Sequence, residues 1–272
     1  MLVYAKARVG TASQAKTQLA VSATSTSFFE AVPSVAAVRE AGCRHSGGRG
    51  GGLEGGGTCP PSSPFGAINE LHDAAWSYET MGGSHGHEAK MRAIHDAVRA
   101  KLQQQPDPLA EVHFCEVGFN AGYSAVVALE AGPARVRATS FDIVENGVVH
   151  VAKAFVDGRY PRRHALVWGA SDVMLVSARE LLLPCDVVFV DGGHEEGVAE
   201  ADLRNFAHLA RSGATLIADD TLCGDARRGA CDGPAVAWAR LVGEGYILQT
   251  GPCSNAGFCT GVYSAAALEA AG

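Results

Sequence analysis

Cys115-Glu116-Val117-Gly118-Phe119-Asn120-Ala121-Gly122-Tyr123-Ser124 is the stretch on which the fold is read. An apolar run, Val112 to Val117, enters it, and a small-residue, helix-compatible run, Ala125 to Ala131, leaves it. That context predicts a buried strand turning sharply into a helix. Two glycines four apart let the backbone turn tightly, approach a ligand and pack the helix on the strand. Glu116 falls at the strand's carboxyl end, where open α/β sheets bind their ligands.

Outward from this turn, short apolar strands alternate with helical stretches. Strands are expected at 112–117, 136–142, 165–168, 186–191, 214–219, 246–250 and 257–263, with helical patterns between the first six. Such alternation predicts a parallel sheet covered on both faces. Only Gly251 to Ala256 separate the last two strands, too few residues for a crossover helix, so these should form an antiparallel hairpin. The fold class is therefore α/β, a doubly wound seven-stranded sheet, mostly parallel, with an antiparallel C-terminal hairpin. Upstream, Ile68 to Tyr78 and Glu88 to Leu102 read as helices joined by Met81-Gly82-Gly83-Ser84-His85-Gly86. In the second, Met91, Ile94, Ala97, Val98 and Leu102 follow a 3.6-residue period.

Two regions divide the 272 residues: a low-complexity N-terminal extension, 1–63, and one catalytic-sized domain, 64–272. The extension has its first acidic residue at Glu30 and a glycine tract at 47–57 that cannot pack. Its Ser-rich, acid-poor opening suits an organellar transit peptide and equally a disordered segment without an address, so a cytoplasmic or an organellar location is expected. A formal charge of -7 provides no basic field for nucleic acid or anionic membrane. No apolar run approaches the roughly 20 residues that span a bilayer. Cys115 and Cys185 read as small buried hydrophobes, whereas Cys223, Cys231, Cys253 and Cys259, near expected loops, are able to form one or two disulfides, and their spacings suggest no zinc site.

Acidic residues recur at the strand ends. Asp142 lies 24 positions beyond Gly118, near the ~20-residue offset of a ribose-binding acid; the alternative is a helix cap. The turn reads Gly118-x-x-x-Gly122 and lacks the middle glycine that admits a pyrophosphate, which disfavours NAD and FAD. Ser171 or Asp172, after the third strand, can meet an adenine edge or cap the next helix. Asp191, Asp219 and Asp220 end the fourth and fifth strands. Gathered at one sheet edge, three carboxylates repel unless protonated or bridged by a cation, and all-oxygen ligation suits Mg²⁺. His194, three residues past Asp191, is a candidate general base. Helix capping and loop ordering are the structural alternatives for this cluster.

These residues resemble the class I S-adenosylmethionine-dependent methyltransferases, within them the catechol O-methyltransferase type and the methyltransferase 24 group. The resemblance spans Trp76 to Tyr263 and implies a Rossmann-like form of the sheet. It implies that Glu116, Gly118, Asn120, Gly122, Tyr123 and Ser124 form the first cofactor motif and that Asp142 binds the ribose. Ser171 and Asp172 then flank the adenine, and Met81 belongs to a closing loop. It further implies Asp191 at cofactor and metal, Asp219 and Asp220 as metal ligands, and catalytic roles for Asp191 and His194. Asp220 stands where catechol O-methyltransferase has Asn, and His194 stands where that enzyme has its catalytic lysine.

The expected activity is Mg²⁺-dependent O-methylation of a small hydroxylated molecule by S-adenosylmethionine. The alternatives are a metal-independent methyltransferase acting on O or N, and a non-catalytic domain that binds the same cofactor.

Overall fold

The computed structural model describes residues 67, 70, 71 and 88–272, except 133, 146, 181 and 223–232. Expectations for Met81, the 81–86 loop, the helix at 68–78, the 1–63 extension, Cys223 and Cys231 fall outside or almost wholly outside those residues.

Seven strands form one sheet: β1 (Val112–Val117), β2 (Val136–Asp142), β3 (His164–Trp168), β4 (Cys185–Val190), β5 (Ala210–Ala218), β6 (Ile247–Gln249) and β7 (Cys259–Tyr263). Their order is β3-β2-β1-β4-β5-β7-β6. The first five pair in parallel, and β7 runs antiparallel between β5 and β6. The doubly wound sheet and the antiparallel C-terminal strands follow the expectation from the apolar runs. β1 and β4 are buried along their whole length because they are central and covered on both faces.

The helices are α1 (Glu88–Gln104), α2 (Tyr123–Ala131), α3 (Val148–Arg159), α4 (Ser171–Ala178), α5 (Glu196–Asn205), α6 (Gly233–Gly243) and α7 (Ala265–Ala271). Pleating sorts the strand side chains between two cores. Phe114, Phe189 and Ile217 pack on one face with α1, α2 and α3. Cys115, Val117, Val188 and Leu216 pack on the other with α4, α5, α6 and α7. α2 is apolar almost all round and correspondingly sunk between sheet and α1.

Several strand ends shift by one to four residues from the expectation, and two differences stand out. β5 begins at Ala210 rather than 214, where exposed Arg211, Ser212 and Gly213 carry no apolar signal and the pairing with β4 shifts register. The Ala-rich α7 was not expected; it starts at Ser264, whose Oγ accepts the Ala267 N–H at 3.2 Å.

The cysteine reading also needs correction. Cys115 on β1 and Cys185 at the start of β4 are both buried and are joined in a disulfide with Cα atoms 5.8 Å apart. Cys253 and Cys259 form the second described disulfide, closing the turn that leads into β7.

Candidate active site

The strand order reverses between β1 and β4, and the chain opens a cavity of about 1070 Å³ at the carboxyl ends of the strands there. The ladder continues one step past each strand: Gly118 N–H donates to Phe141 O, Asp191 N–H to Val117 O and Asp219 N–H to Val190 O. These bonds hold Gly118, Asp191 and Asp219 side by side at the cavity floor. Gly118 has φ +90°, and a Cβ there would stand 1.8 Å from the Asp191 carbonyl oxygen. That glycine is thus required by its neighbouring strand before any ligand is considered.

Gly118, Asn120, Gly122, Tyr123, Ser124, Asp142, Ser171, Asp172 and Asp191 all line the cavity. Asp142 accepts the Asn120 N–H at 2.9 Å and the Val144 N–H at 2.6 Å, tying the end of β2 to the glycine turn. Asn120 is itself in the left-handed region, φ 41°, and its buried Oδ1 lacks a hydrogen-bond partner among the described residues. An acceptor left open on a cavity wall suits a ligand with a hydroxyl or amine donor.

Glu116 lies apart from this wall. It is fully buried beneath the turn, on the α2 face of β1, and accepts hydrogen bonds from Ser124 Oγ and, at 2.5 Å, from Ser140 Oγ. Ser140 Oγ in turn lies 2.9 Å from His164 Nε2. Burial outweighs the two serine hydroxyls and raises the Glu116 carboxyl to about 8. The native chain then keeps a proton that the unfolded chain releases near the ordinary carboxyl value. This contribution to stability is complete below that value and lost as pH rises through about 8. In urea unfolding, Glu116→Gln is expected to flatten the decline in stability between about pH 5 and pH 8. Identical slopes in the two proteins would rule out that ionisation as the source.

Asp191, Asp219 and Asp220 do come together, and a residue the sequence reading missed lies among them. Lys90, in the first turn of α1, is only 3% exposed. Its Nζ donates to Asp219 Oδ2 and lies 3.7 Å from Asp191 Oδ2. Burial alone pulls the ammonium down, but Asp191, Asp219 and Asp220 more than offset this, so Lys90 is held charged above its ordinary value. Burial and the Asp219 charge push the Asp191 carboxyl upward against the pull of Lys90. A signal for Lys90 was present: it stands four residues before Ile94 and extends the buried 94–98–102 stripe of α1. A cation in a helix's first turn opposes the macrodipole and so calls for a carboxylate partner.

Asp220 points elsewhere. Its φ of 53° puts it in the left-handed region that Asp tolerates, with Oδ2 3.1 Å from His194 Nε2. His194 is 59% exposed at the cavity mouth. Asp191, His194 and Asp220 offer ligand atoms within 4.8 Å of one another.

The expected Mg²⁺ set of Asp191, Asp219 and Asp220 does not fit this arrangement. Lys90 already takes up the Asp219 carboxylate. A divalent ion between Asp191 and Asp219 would have to displace the Lys90 ammonium, which bonds Asp219 and lies 3.7 Å from Asp191 Oδ2. Asp220, meanwhile, is engaged with the imidazole.

Residues 115–221 match the family model described as a methyltransferase domain. No curated protein matches the chain in sequence. Among solved structures, the chain is similar to the O-methyltransferase from Bacillus cereus in complex with SAH, at 16% identity and a TM-score of 0.56, over 75% of this chain and 93% of that one. It is similar to TomG from Streptomyces achromogenes, an O-methyltransferase of tomaymycin synthesis in complex with SAM, at 18% identity and a TM-score of 0.53, over 76% and 92%. The SAH-bound methyltransferase PaMTH1 from Podospora anserina aligns at 15% identity and a TM-score of 0.54, over 73% and 88%. Residues 115–221 thus match a methyltransferase domain, and the chain shares the fold of these SAM- and SAH-bound methyltransferases.

Proposed function

We propose that this protein is an O-methyltransferase acting on a small hydroxylated molecule, with S-adenosylmethionine as donor. The observation that carries the reading is the continuity of one cavity from the glycine turn, Asp142 and Ser171 to His194, Asp191 and Asp219. Its volume suits a nucleoside-sized cofactor together with a small acceptor. S-adenosylmethionine, when bound, supplies an activated methyl group.

Each residue then has a task. Asp142 accepts from the ribose hydroxyls, Asn120 Oδ1 takes a further donor, and Ser171 and Asp172 meet the adenine. Gly118, Gly122, Tyr123 and Ser124 shape the cradle, while Glu116 supports it from below through Ser124. His194 takes the proton of the acceptor hydroxyl, and Asp220 gives the resulting imidazolium a counter-charge. Asp191 and Asp219 bound the acceptor end of the cavity. Lys90 engages Asp219, so the chain's own ammonium supplies the positive charge at that end.

The charge of -7 speaks against nucleic acid as partner, and among the described residues no helix is long and apolar enough to cross a membrane.

The test is methyl transfer from labelled S-adenosylmethionine to a panel of small phenols, alcohols and amines, with and without EDTA. Labelled product is expected from a hydroxylated acceptor, falling at least about 100-fold in His194→Ala, the scale of general base catalysis. Product from amines alone would establish N-methylation instead. Cofactor binding without any product would favour a binding-only domain.

A further inference from the structure

The buried Lys90 is left over by the mechanism above. Among the described residues it makes no hydrogen bond or ion pair with the glycine turn or the ribose acid, yet an ammonium buried at the end of a helix is costly unless paired. Its surroundings are specific. Nζ bonds Asp219, faces Asp191 at 3.7 Å and lies 6.0 Å from the centre of the Phe189 ring on β4. The side chain therefore spans from α1 to two adjacent strand ends, and both it and the carboxylates line the cavity.

We infer that Lys90 is a built-in cation occupying the place between Asp191 and Asp219 that a divalent ion would otherwise take, and that it positions both carboxylates at the acceptor end without metal. The cavity-floor bonds of Asp191 and Asp219 fix their backbones one step past β4 and β5, so the two carboxylates start from adjacent strand ends. One covalently attached positive charge meets the need that three gathered carboxylates create, and it does so irrespective of free metal concentration. The remaining negative charge is shared by Asp191 and Asp220, with His194 beside Asp220.

A single substitution should then convert the site. Lys90→Met keeps the unbranched stem of the side chain and removes the charged Nζ, leaving Asp191 and Asp219 to be bridged by an added ion. Mn²⁺ serves as probe, read by the loss of its free-ion electron paramagnetic resonance signal. Wild-type protein is expected to show no Mn²⁺ binding that depends on Asp219. Lys90→Met should bind one ion at least 10-fold more tightly, lose that binding when Asp219→Asn is added, and gain thermal stability as Mn²⁺ is raised. Lys90→Arg should behave as wild type.

Mn²⁺ binding to wild type that disappears in Asp219→Asn would overturn the inference, as would a folded Lys90→Met with unchanged affinity. Wild-type binding that survives Asp219→Asn lies outside the pair and agrees with it. Should Lys90→Met fail to fold, the wild-type and Asp219→Asn titrations still decide. The role in positioning rests on the methyltransferase reading, but the Mn²⁺ measurement does not. Absence of methyl transfer to every acceptor would sink that reading and leave the ion titration intact.

Discussion

Asp142→Ala is expected to weaken S-adenosylmethionine binding about 100-fold in calorimetry. Hydrogen bonds to a charged acceptor contribute about 1.5–3 kcal/mol each. Two ribose hydroxyls on one carboxylate, at the low end of that range, give about 3 kcal/mol, the order of the roughly 2.7 kcal/mol that 100-fold represents. Part of the loss arises inside the protein, since Asp142 also accepts the N–H groups of Asn120 and Val144 and so shapes the turn before ligand arrives. Asp142→Asn separates these contributions: it keeps one carbonyl acceptor and the shape of the side chain, and its affinity should fall between wild type and Asp142→Ala. Unchanged affinity in a folded Asp142→Ala protein would defeat the ribose assignment.

Gly118→Ala should cost the fold about 3 kcal/mol or more, at the top of the range for a strained backbone position. Two effects combine. A φ of +90° is one that L side chains rarely adopt, and the new methyl would stand 1.8 Å from the Asp191 carbonyl oxygen, which is backbone and cannot swing aside. Relief requires β1 and β4 to part at the central pairing of the sheet, where Asp191 N–H bonds Val117 O. For a domain of this size the loss corresponds to a melting point lower by on the order of 10 °C. The same shift would displace Asp191 from Lys90, so cofactor affinity should fall as well. A melting point within about 2 °C of wild type would show that the turn has an alternative path not dictated by its neighbour.

Much of the fold was legible because period and length carry it. Val112 to Val117 and Val136 to Asp142 are unbroken short runs bounded by turns, and both strands fall where those runs do. The six residues between the last two strands are too few for a crossover, and β7 duly lies antiparallel beside β6. β5 was legible only from Ala214, where its burial begins, because its exposed first residues have nothing apolar to announce them. The Cys115–Cys185 disulfide was hidden for another reason: two small residues in buried strands look alike whether or not their sulfurs meet.

The candidate site divides in the same way. Asp142, Ser171, Asp191 and Asp219 could be placed at one sheet edge from strand ends alone, since parallel strands must finish on the same side. Glu116 sits at such an end too, but pleat direction sends its side chain under α2, to Ser124 and Ser140, rather than into the cavity.

The order of apolar runs and glycine turns thus determined the sheet, the edge at which a ligand can bind and the acids gathered there, because those depend on backbone periodicity and chain length. Only the tertiary structure decided what neutralises the acids. Lys90 and Asp219 are 129 residues apart, and no local pattern joins them. Their contact follows from α1 packing across the end of β4, where a buried ammonium and a buried carboxylate must pair or go unsatisfied.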